Sequence, residues 1–430
     1  MTKAGWAIVV FVALLSLANN LRQGPWTGFN PDESRWISRA HFLREFTDPF
    51  GPTWSDRYTT RGQPPVGSYA TGLGLVVQGR DLFTNLPWEF SYQPGTPGWY
   101  RNMAEGRMPT PDDLAAARRT SAAYVALTAA LVAALGWTLG GAMAAAFAGI
   151  AFALHPFSAY IGSIATSDPV FGLLIALAAL AAARLGRRPT IAAALGLGVA
   201  LGLGGGTKLS PLLVAPVVGA LGAALLGGDF LRRRTFPRDR LGWLLVSVPV
   251  VALAVFVASY PYLWPDPISR TRNLVEFRTT EMQAQASDWP VMAVPTRAEA
   301  LRRIGVNFAE RFSISGAIDR AAEFAGGRPL GFAQIDLLAA LAGLLLWAAA
   351  ALRRGPRDPN ALVLLVLLAQ VAVTIGGMRS EFDRYHVPMM LLGALAFGVL
   401  TASLAAHMPR AIREPAGRAE RRPEPAAGDV

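Results

Sequence analysis

The chain alternates between apolar runs and short polar joints, and two long polar stretches interrupt the series. Ten runs approach the roughly 20 residues that a helix needs to cross a bilayer: residues 6–18, 121–139, 142–161, 169–185, 190–204, 209–226, 241–259, 332–352, 361–376 and 387–404. A helix satisfies its own backbone groups in lipid, where strand edges and loops do not. The pattern therefore predicts an all-α polytopic membrane protein, about ten transmembrane helices within residues 1–405. Several runs are short and are expected to extend into their flanks or to cross at a tilt.

The joints set the orientation. Arg184, Arg187 and Arg188 follow the fourth run; Arg232, Arg233, Arg234, Arg238 and Arg240 the sixth; Arg353, Arg354 and Arg357 the eighth; Arg410 and Arg413 the tenth. These joints alternate along the chain, so they share one side, and the positive-inside rule makes that side cytoplasmic. Both termini are then cytoplasmic, and the long stretches at about 19–120 and 260–331 are extracytoplasmic loops. The first segment also fits a signal peptide, with Lys3, a short apolar run and Ser16-Leu17-Ala18. Ten alternating spans require it to be retained. The stretch from 406 to 430 is rich in Arg, Glu, Pro and Ala without apolar period and is expected to be a disordered cytoplasmic tail.

Within the first loop, residues 66–77 are apolar but too few to span, which suits an interfacial or re-entrant helix. Trp26, Trp36, Trp54, Trp88 and Trp99 lie in this loop, and Trp264 and Trp289 in the second. Tryptophan favours the membrane–water interface, so most are expected to anchor the loops on the bilayer.

Composition fits this reading. The 430 residues are 52% hydrophobic and 16% charged, against about 25% charged in a typical soluble domain. The net charge of +11 is nearly all arginine, lysine appearing only as Lys3 and Lys208. Because the arginines sit in joints between spans, membrane orientation accounts for many of them, and no nucleic-acid partner is called for. With no cysteine, there is no thiol nucleophile, disulfide or thiolate metal site.

Four groups of polar residues stand at outer ends of the runs. Asp32 and Glu33, in Asn30-Pro31-Asp32-Glu33-Ser34-Arg35, are candidates for a general base; capping acids at a helix start are the alternative. Arg35 is placed to hold an anionic group. Asp168, in Ser167-Asp168-Pro169, is a substrate-binding candidate or a helix cap. Lys208, after a glycine-rich run, is set to pair with a phosphate or to snorkel to the interface. Arg384 and Tyr385 stand in the dense stretch Arg379-Ser380-Glu381-Phe382-Asp383-Arg384-Tyr385-His386; charges packed against a span usually have partners or a task. His386 alone reads as structural. No histidine-rich or Asp-x-Asp spacing points to a metal.

In their order these elements resemble the C-type glycosyltransferases that use a polyprenyl-phosphate sugar donor, among them protein O-mannosyltransferases and the bacterial transferases that add aminoarabinose to lipid A. Asp32-Glu33-Ser34-Arg35 is similar to that family's acidic pair and arginine on the first outer loop, and Gln63-Pro64-Pro65-Val66 to its Lys-Pro-Pro-Leu segment. Asp168-Pro169, Thr207-Lys208 and Arg384-Tyr385 with Pro388 are similar to its acid-proline, Thr-Lys and Arg-Tyr elements. The resemblance implies the C-type glycosyltransferase fold, with a hexosyl or pentosyl unit moved from a polyprenyl-phosphate donor to a protein, lipid or glycan acceptor on the outer face of a bacterial inner membrane. It implies Asp32 as the acid/base position. Because a donor phosphate in a partly dry cavity needs opposite charge and directed donors, a basic cluster drawn from Arg35, Arg61, Lys208 and Arg384 is expected around it. Gln63 departs from the family's lysine; either Arg61 or Lys208 substitutes for it or the donor differs. No cofactor is expected; relatives differ in metal dependence. The rival reading is a lipid-linked-sugar flippase or other transporter without transferase activity. Acids at span ends and nearly charge-free runs favour the transferase, since transporters place charges near the midplane.

Overall fold

A computed structural model describes residues 1–307, 326–328 and 335–407. The expected tail, past His407, lies outside the described residues. Among these the chain is helical, and its β contribution is one isolated bridge between Ala293 and Ser380. The apolar runs fall on helices to within a few residues: α1 (Lys3–Gln23), then, after α2 (Pro31–Ser38) and α3 (Val66–Val77) of the first loop, α4 (Pro111–Leu154), α5 (Pro156–Gly162), α6 (Asp168–Arg187), α7 (Ile191–Gly205), α8 (Ser210–Arg233) and α9 (Arg240–Ala258). The second loop carries the polar helices α10 (Pro267–Asp288) and α11 (Arg297–Val306), and α12 (Ile335–Arg354), α13 (Pro359–Gly377) and α14 (Val387–His407) complete the series. Among the described residues eight elements are long and apolar enough to cross a membrane, and the chain is a multi-pass membrane protein.

The 44-residue α4 is two helices. Gly140 and Gly141 leave helical geometry, Gly141 at φ 72°, a conformation that a side chain disfavours. The chain reverses there: a Cβ on Gly149 would meet Ala133 at 3.0 Å, and one on Gly136 would meet the Ala144 carbonyl oxygen at 2.6 Å. A straight helix would hold Ala133 and Gly149 about 24 Å apart. Small residues line the seam, letting the arms approach closely where lipid offers no hydrophobic drive. Thr110 caps the first arm by accepting from the Asp113 N–H, with Pro111 at the first position and Asp112 and Asp113 in the first turn.

Both ends of the bundle have a distinct chemistry. At one, Arg187 donates to the Thr138 carbonyl (3.1 Å) and Arg357 pairs with Asp239, so the arginine-bearing joints gather together. At the other, the Val66 N–H donates to the Gly206 carbonyl (2.8 Å), and Val294 and Glu381 exchange backbone bonds with Arg379 and Met292. The outer segments that carry the candidate residues are thus tied to one another.

Helix α3 forms over the expected residues. Val66, Gly67, Ser68, Thr71, Gly72 and Leu75 are buried, while Leu73 and Val77 are exposed. Three of the seven loop tryptophans depart from the anchoring expectation. Trp36, Trp54 and Trp88 are buried inside the first loop, and Trp26 is the one that stands fully out. Indole burial works here because each polar edge finds a carbonyl: Trp54 Nε1 donates to Glu45 (2.9 Å) and Trp88 Nε1 to Ser91 (3.0 Å). Trp54 packs with Phe42 against Phe256, Tyr260 and Tyr262, and Trp88 against Phe29 and Trp99.

Candidate functional site

Asn30 starts α2 with a reciprocal cap. Its side chain accepts from the Asp32 N–H (3.0 Å), and the Glu33 carboxylate accepts from the Asn30 N–H (3.0 Å). This cap sends the two adjacent acids in different directions. Glu33 is fully buried and clamped by Arg118, whose Nε and Nη2 donate to its two oxygens at 2.8 and 2.7 Å; the Ala165 N–H adds a third bond at 2.9 Å. The rest of Arg118 donates to the carbonyls of Gly24, Thr27 and Gly28. Asp32 instead faces open space. Its side chain is 33% exposed, with Oδ2 held by Arg384 Nη1 at 3.0 Å and the Tyr92 hydroxyl 3.5 Å from Oδ1. Burial, then the Asp32 charge, raises the Tyr92 phenol above its ordinary range and keeps it a neutral donor.

Two cavities meet at Asp32, which lines both. The first, about 390 Å³, is walled by Arg35, Trp36, Arg39, Tyr58, Gln63 and Trp88. The second, about 370 Å³, is walled by Tyr160, Ile164, Asp168, Arg303, Phe382 and Arg384. A carboxylate between two chambers can touch a group held in each.

The first cavity contains an unusual cation. Arg39 is 8% exposed; its Nη2 donates to the Gln63 carbonyl (2.6 Å), and its plane lies near the rings of Trp36 and Phe42, at 5.2 and 5.0 Å. Its Nε has no hydrogen-bond partner, and among the described residues no carboxylate lies within ion-pair distance. Burial pushes this guanidinium down to about 10. The buried Gln63 Oε1 is also unpartnered. Arg35 donates from Nε to the Trp88 carbonyl (2.8 Å) and lies over the Tyr58 and Tyr92 rings. From the second loop, Arg278 donates to the Gly62 carbonyl (2.9 Å), and Glu281 accepts from the Tyr58 hydroxyl (2.7 Å).

Other candidates are already committed. Lys208 pairs with Asp168, whose second oxygen accepts from Thr166 Oγ1 at 2.9 Å. Arg61 pairs with Asp56 at 2.9 Å. Tyr385 packs near Phe382 and against the cluster of Val294, Ala300 and Met378. His386 is buried beside Glu381 and Asn307. Structure thus brings Asp32, Arg35, Gln63, Asp168 and Arg384 to the cavities, and Glu33 beneath them. Sequence reading missed Arg39, Tyr92, Arg118, Arg278 and Glu281. Arg39 had a signal, as a second arginine four positions after Arg35; Tyr92 lies in irregular chain, and Arg118, Arg278 and Glu281 stand on helices α4 and α10 with no sequence cue that they reach this site.

The family model described as dolichyl-phosphate-mannose-protein mannosyltransferase matches residues 82–259, under half of the chain. That stretch holds Asp168 and Lys208 and leaves Asp32 and Arg384 outside. No curated protein matches the chain. Among solved structures, the oligosaccharyltransferase of Archaeoglobus fulgidus in the apo form is similar with a TM-score of 0.53 at 14% identity, covering 95% of this chain and 52% of its own. ArnT from Cupriavidus metallidurans is similar in the apo state, with a TM-score of 0.51 at 18% identity over 96% of this chain and 62% of its own. ArnT bound to undecaprenyl phosphate gives a TM-score of 0.50 at 18% identity, over 95% and 61%. The chain spans about half to three fifths of the length of these structures. The shared fold is that of the C-type glycosyltransferases, polytopic and membrane-embedded.

Proposed function

We propose that this chain moves a hexosyl or pentosyl unit from a polyprenyl-phosphate donor to an acceptor hydroxyl at the outer face of a bacterial inner membrane, with inversion at the sugar carbon. The observation that carries the reading is the partly exposed Asp32 carboxylate at the junction of two cavities, one of which holds a buried guanidinium without a carboxylate partner among the described residues. The similar ArnT structure is one bound to undecaprenyl phosphate, and the matched family is named for a lipid-phosphate sugar donor.

In this reading the donor phosphate lies in the first cavity against Arg39, with Arg35 beside it. An anion there relieves a buried charge that costs several kcal/mol when unpaired. The acceptor enters the second cavity. Asp32 Oδ1 takes the proton of the acceptor O–H while that oxygen bonds to the anomeric carbon. The bond from that carbon to the phosphate oxygen breaks, and its electron pair leaves with polyprenyl phosphate. Arg384 orients Asp32 through Oδ2, and the basic groups stabilise the charge growing on the leaving phosphate. Glu33 is a positioning residue: clamped by Arg118, it fixes the turn from which Asp32 projects. Arg61 and Lys208 drop out of the phosphate cluster because carboxylates already hold them.

The test compares glycans and glycolipids by mass spectrometry in a strain lacking the chain and in strains restored with wild type or Asp32→Asn. A sugar-sized mass should vanish in the deletion, return with wild type and stay absent with Asp32→Asn. Identical profiles in all three strains would sink the proposal.

A further inference from the structure

At the arginine-rich end, away from Asp32, lies a second binding feature. Helices α1 and α6 each pack on the first arm of α4 and leave a trench between them, about 710 Å³ in volume. Its floor and walls are apolar, with Val9, Leu127, Leu131, Leu173, Leu177 and Leu180, and Ala130, Ala134 and Ala183 provide the depth. From Leu173 to Arg187 the trench runs fourteen residues along α6, about 21 Å. That exceeds the half-thickness of a ~30 Å hydrocarbon core, so one acyl chain fits along it.

Its mouth is cationic and aromatic. Arg184 and Arg187 line it one turn apart on the same face of α6, both exposed. Arg187 uses Nη2 on the Thr138 carbonyl, and among the described residues neither arginine has a carboxylate within ion-pair distance. Trp6 and Trp137 line the same end, and a Cβ on Gly5 would touch the Trp137 ring at 2.9 Å, so Trp137 stands level with the first turn of α1. Tryptophan at that level marks headgroup depth. Unpaired arginines, headgroup-level indoles and an apolar channel leading into the bilayer make one complementary surface.

We propose that this trench holds one anionic glycerophospholipid of the leaflet on the arginine side, its phosphate on Arg184 and Arg187 and an acyl chain along Leu173, Leu177, Leu127 and Leu131. The site is separate from the sugar-transfer chemistry and requires only that the chain be embedded in a membrane. Basic pockets between transmembrane helices are known to select anionic headgroups.

The test uses the full chain, delipidated in detergent and titrated by native mass spectrometry with phosphatidylglycerol and with phosphatidylcholine of the same acyl composition. Two arginines at about 1 kcal/mol each give a preference of about thirty-fold for the anionic lipid. The double variant Arg184→Gln, Arg187→Gln should bring the two lipids near parity. Arg232→Gln with Arg240→Gln, a basic pair on the same side but outside the trench, should keep the preference. Ala134→Trp, which fills the trench and leaves the arginines in place, should weaken both lipids. Equal wild-type affinities, a preference that survives the Arg184 and Arg187 changes, one lost equally in the control pair, or binding untouched by Ala134→Trp would each overturn the site.

Discussion

At the scale of single residues, two neighbouring acids separate by environment. Asp32→Asn keeps the shape and removes the base, so transfer should fall by about 10²–10⁴-fold while the thermal midpoint of the purified protein stays near wild type. Glu33→Gln should do the reverse in emphasis. It leaves Arg118 buried beside a neutral amide, and breaking a buried pair costs about 3–5 kcal/mol, read as a lower unfolding midpoint. Equal midpoints for the two variants would contradict the division of roles. Arg39 makes a second case. Charge-assisted hydrogen bonds are worth about 1.5–3 kcal/mol, so Arg39→Gln should weaken binding of a polyprenyl phosphate by about ten- to a hundred-fold, with little change for the neutral polyprenol. Gln63→Lys places an ammonium next to Arg39; the ligand-free protein should lose stability through like-charge crowding, and phosphate binding should tighten. A calorimetric titration that finds Arg39→Gln equal to wild type would remove the phosphate from the first cavity. The acidic pair was legible in the sequence because capping residues and acids at a span end stand out. Its division was not, since Arg118 lies 85 residues away in sequence and only the fold brings it to Glu33.

At the scale of elements, hydropathy revealed where the apolar helices lie, because lipid imposes one rule on all of them, while eight of the described elements, against about ten expected, are long and apolar enough to cross. The turn at Gly140–Gly141 was equally visible, as a glycine pair between two apolar runs. Helix α3 was recognised by its length, but its docking was not readable from the sequence. A Cβ on Gly67 would lie 2.6 Å from Ser167 Cβ and 3.0 Å from the Trp36 ring, and one on Gly206 would lie 2.4 Å from Val66. These glycines hold the segment after Gln63 against the turn carrying Asp168 and the one carrying Lys208. Gly67→Ala should therefore displace α3, costing about 1–3 kcal/mol as overpacking does, and should reduce sugar transfer. Gly28→Ala, with open space around the added methyl, should leave both unchanged. Full activity and stability in Gly67→Ala would show that α3 is not pressed against Ser167. The tryptophans show where the interface rule ran out. It treats a loop as a chain lying on a surface, whereas this loop folds and buries Trp36, Trp54 and Trp88, Trp54 against residues of α9 and the second loop.

At the scale of the whole molecule, the bundle separates charge by end. Arg184, Arg187, Arg232–Arg240 and Arg353–Arg357 gather at one end, linked by the Arg187–Thr138 and Arg357–Asp239 contacts. Asp32, Asp168, Lys208 and Arg384 gather at the other, linked by the Asp32–Arg384 and Asp168–Lys208 pairs. The helices connecting the ends are nearly free of charge, so the two sets cannot exchange sides without carrying arginines across lipid, at about 2.5–3.5 kcal/mol for each by insertion scales. In the proposed reading the arginine end lies in the cytoplasm, as the positive-inside rule predicts, and the cavities at Asp32 lie outside, within reach of a lipid-linked donor of the outer leaflet. A reporter that is active only outside the membrane should be active when fused after Gly62 or Asp288 and silent after Arg234. A reporter active only in the cytoplasm should give the opposite pattern. The Gly62 and Asp288 fusions test the two loops separately, because one lies before α3 and the other at the end of α10. If both read as cytoplasmic, Asp32 faces the cytoplasm and the donor must come from the inner leaflet. If only one does, the helices between the two loops cross the membrane an odd number of times, and the arginine joints do not share a side.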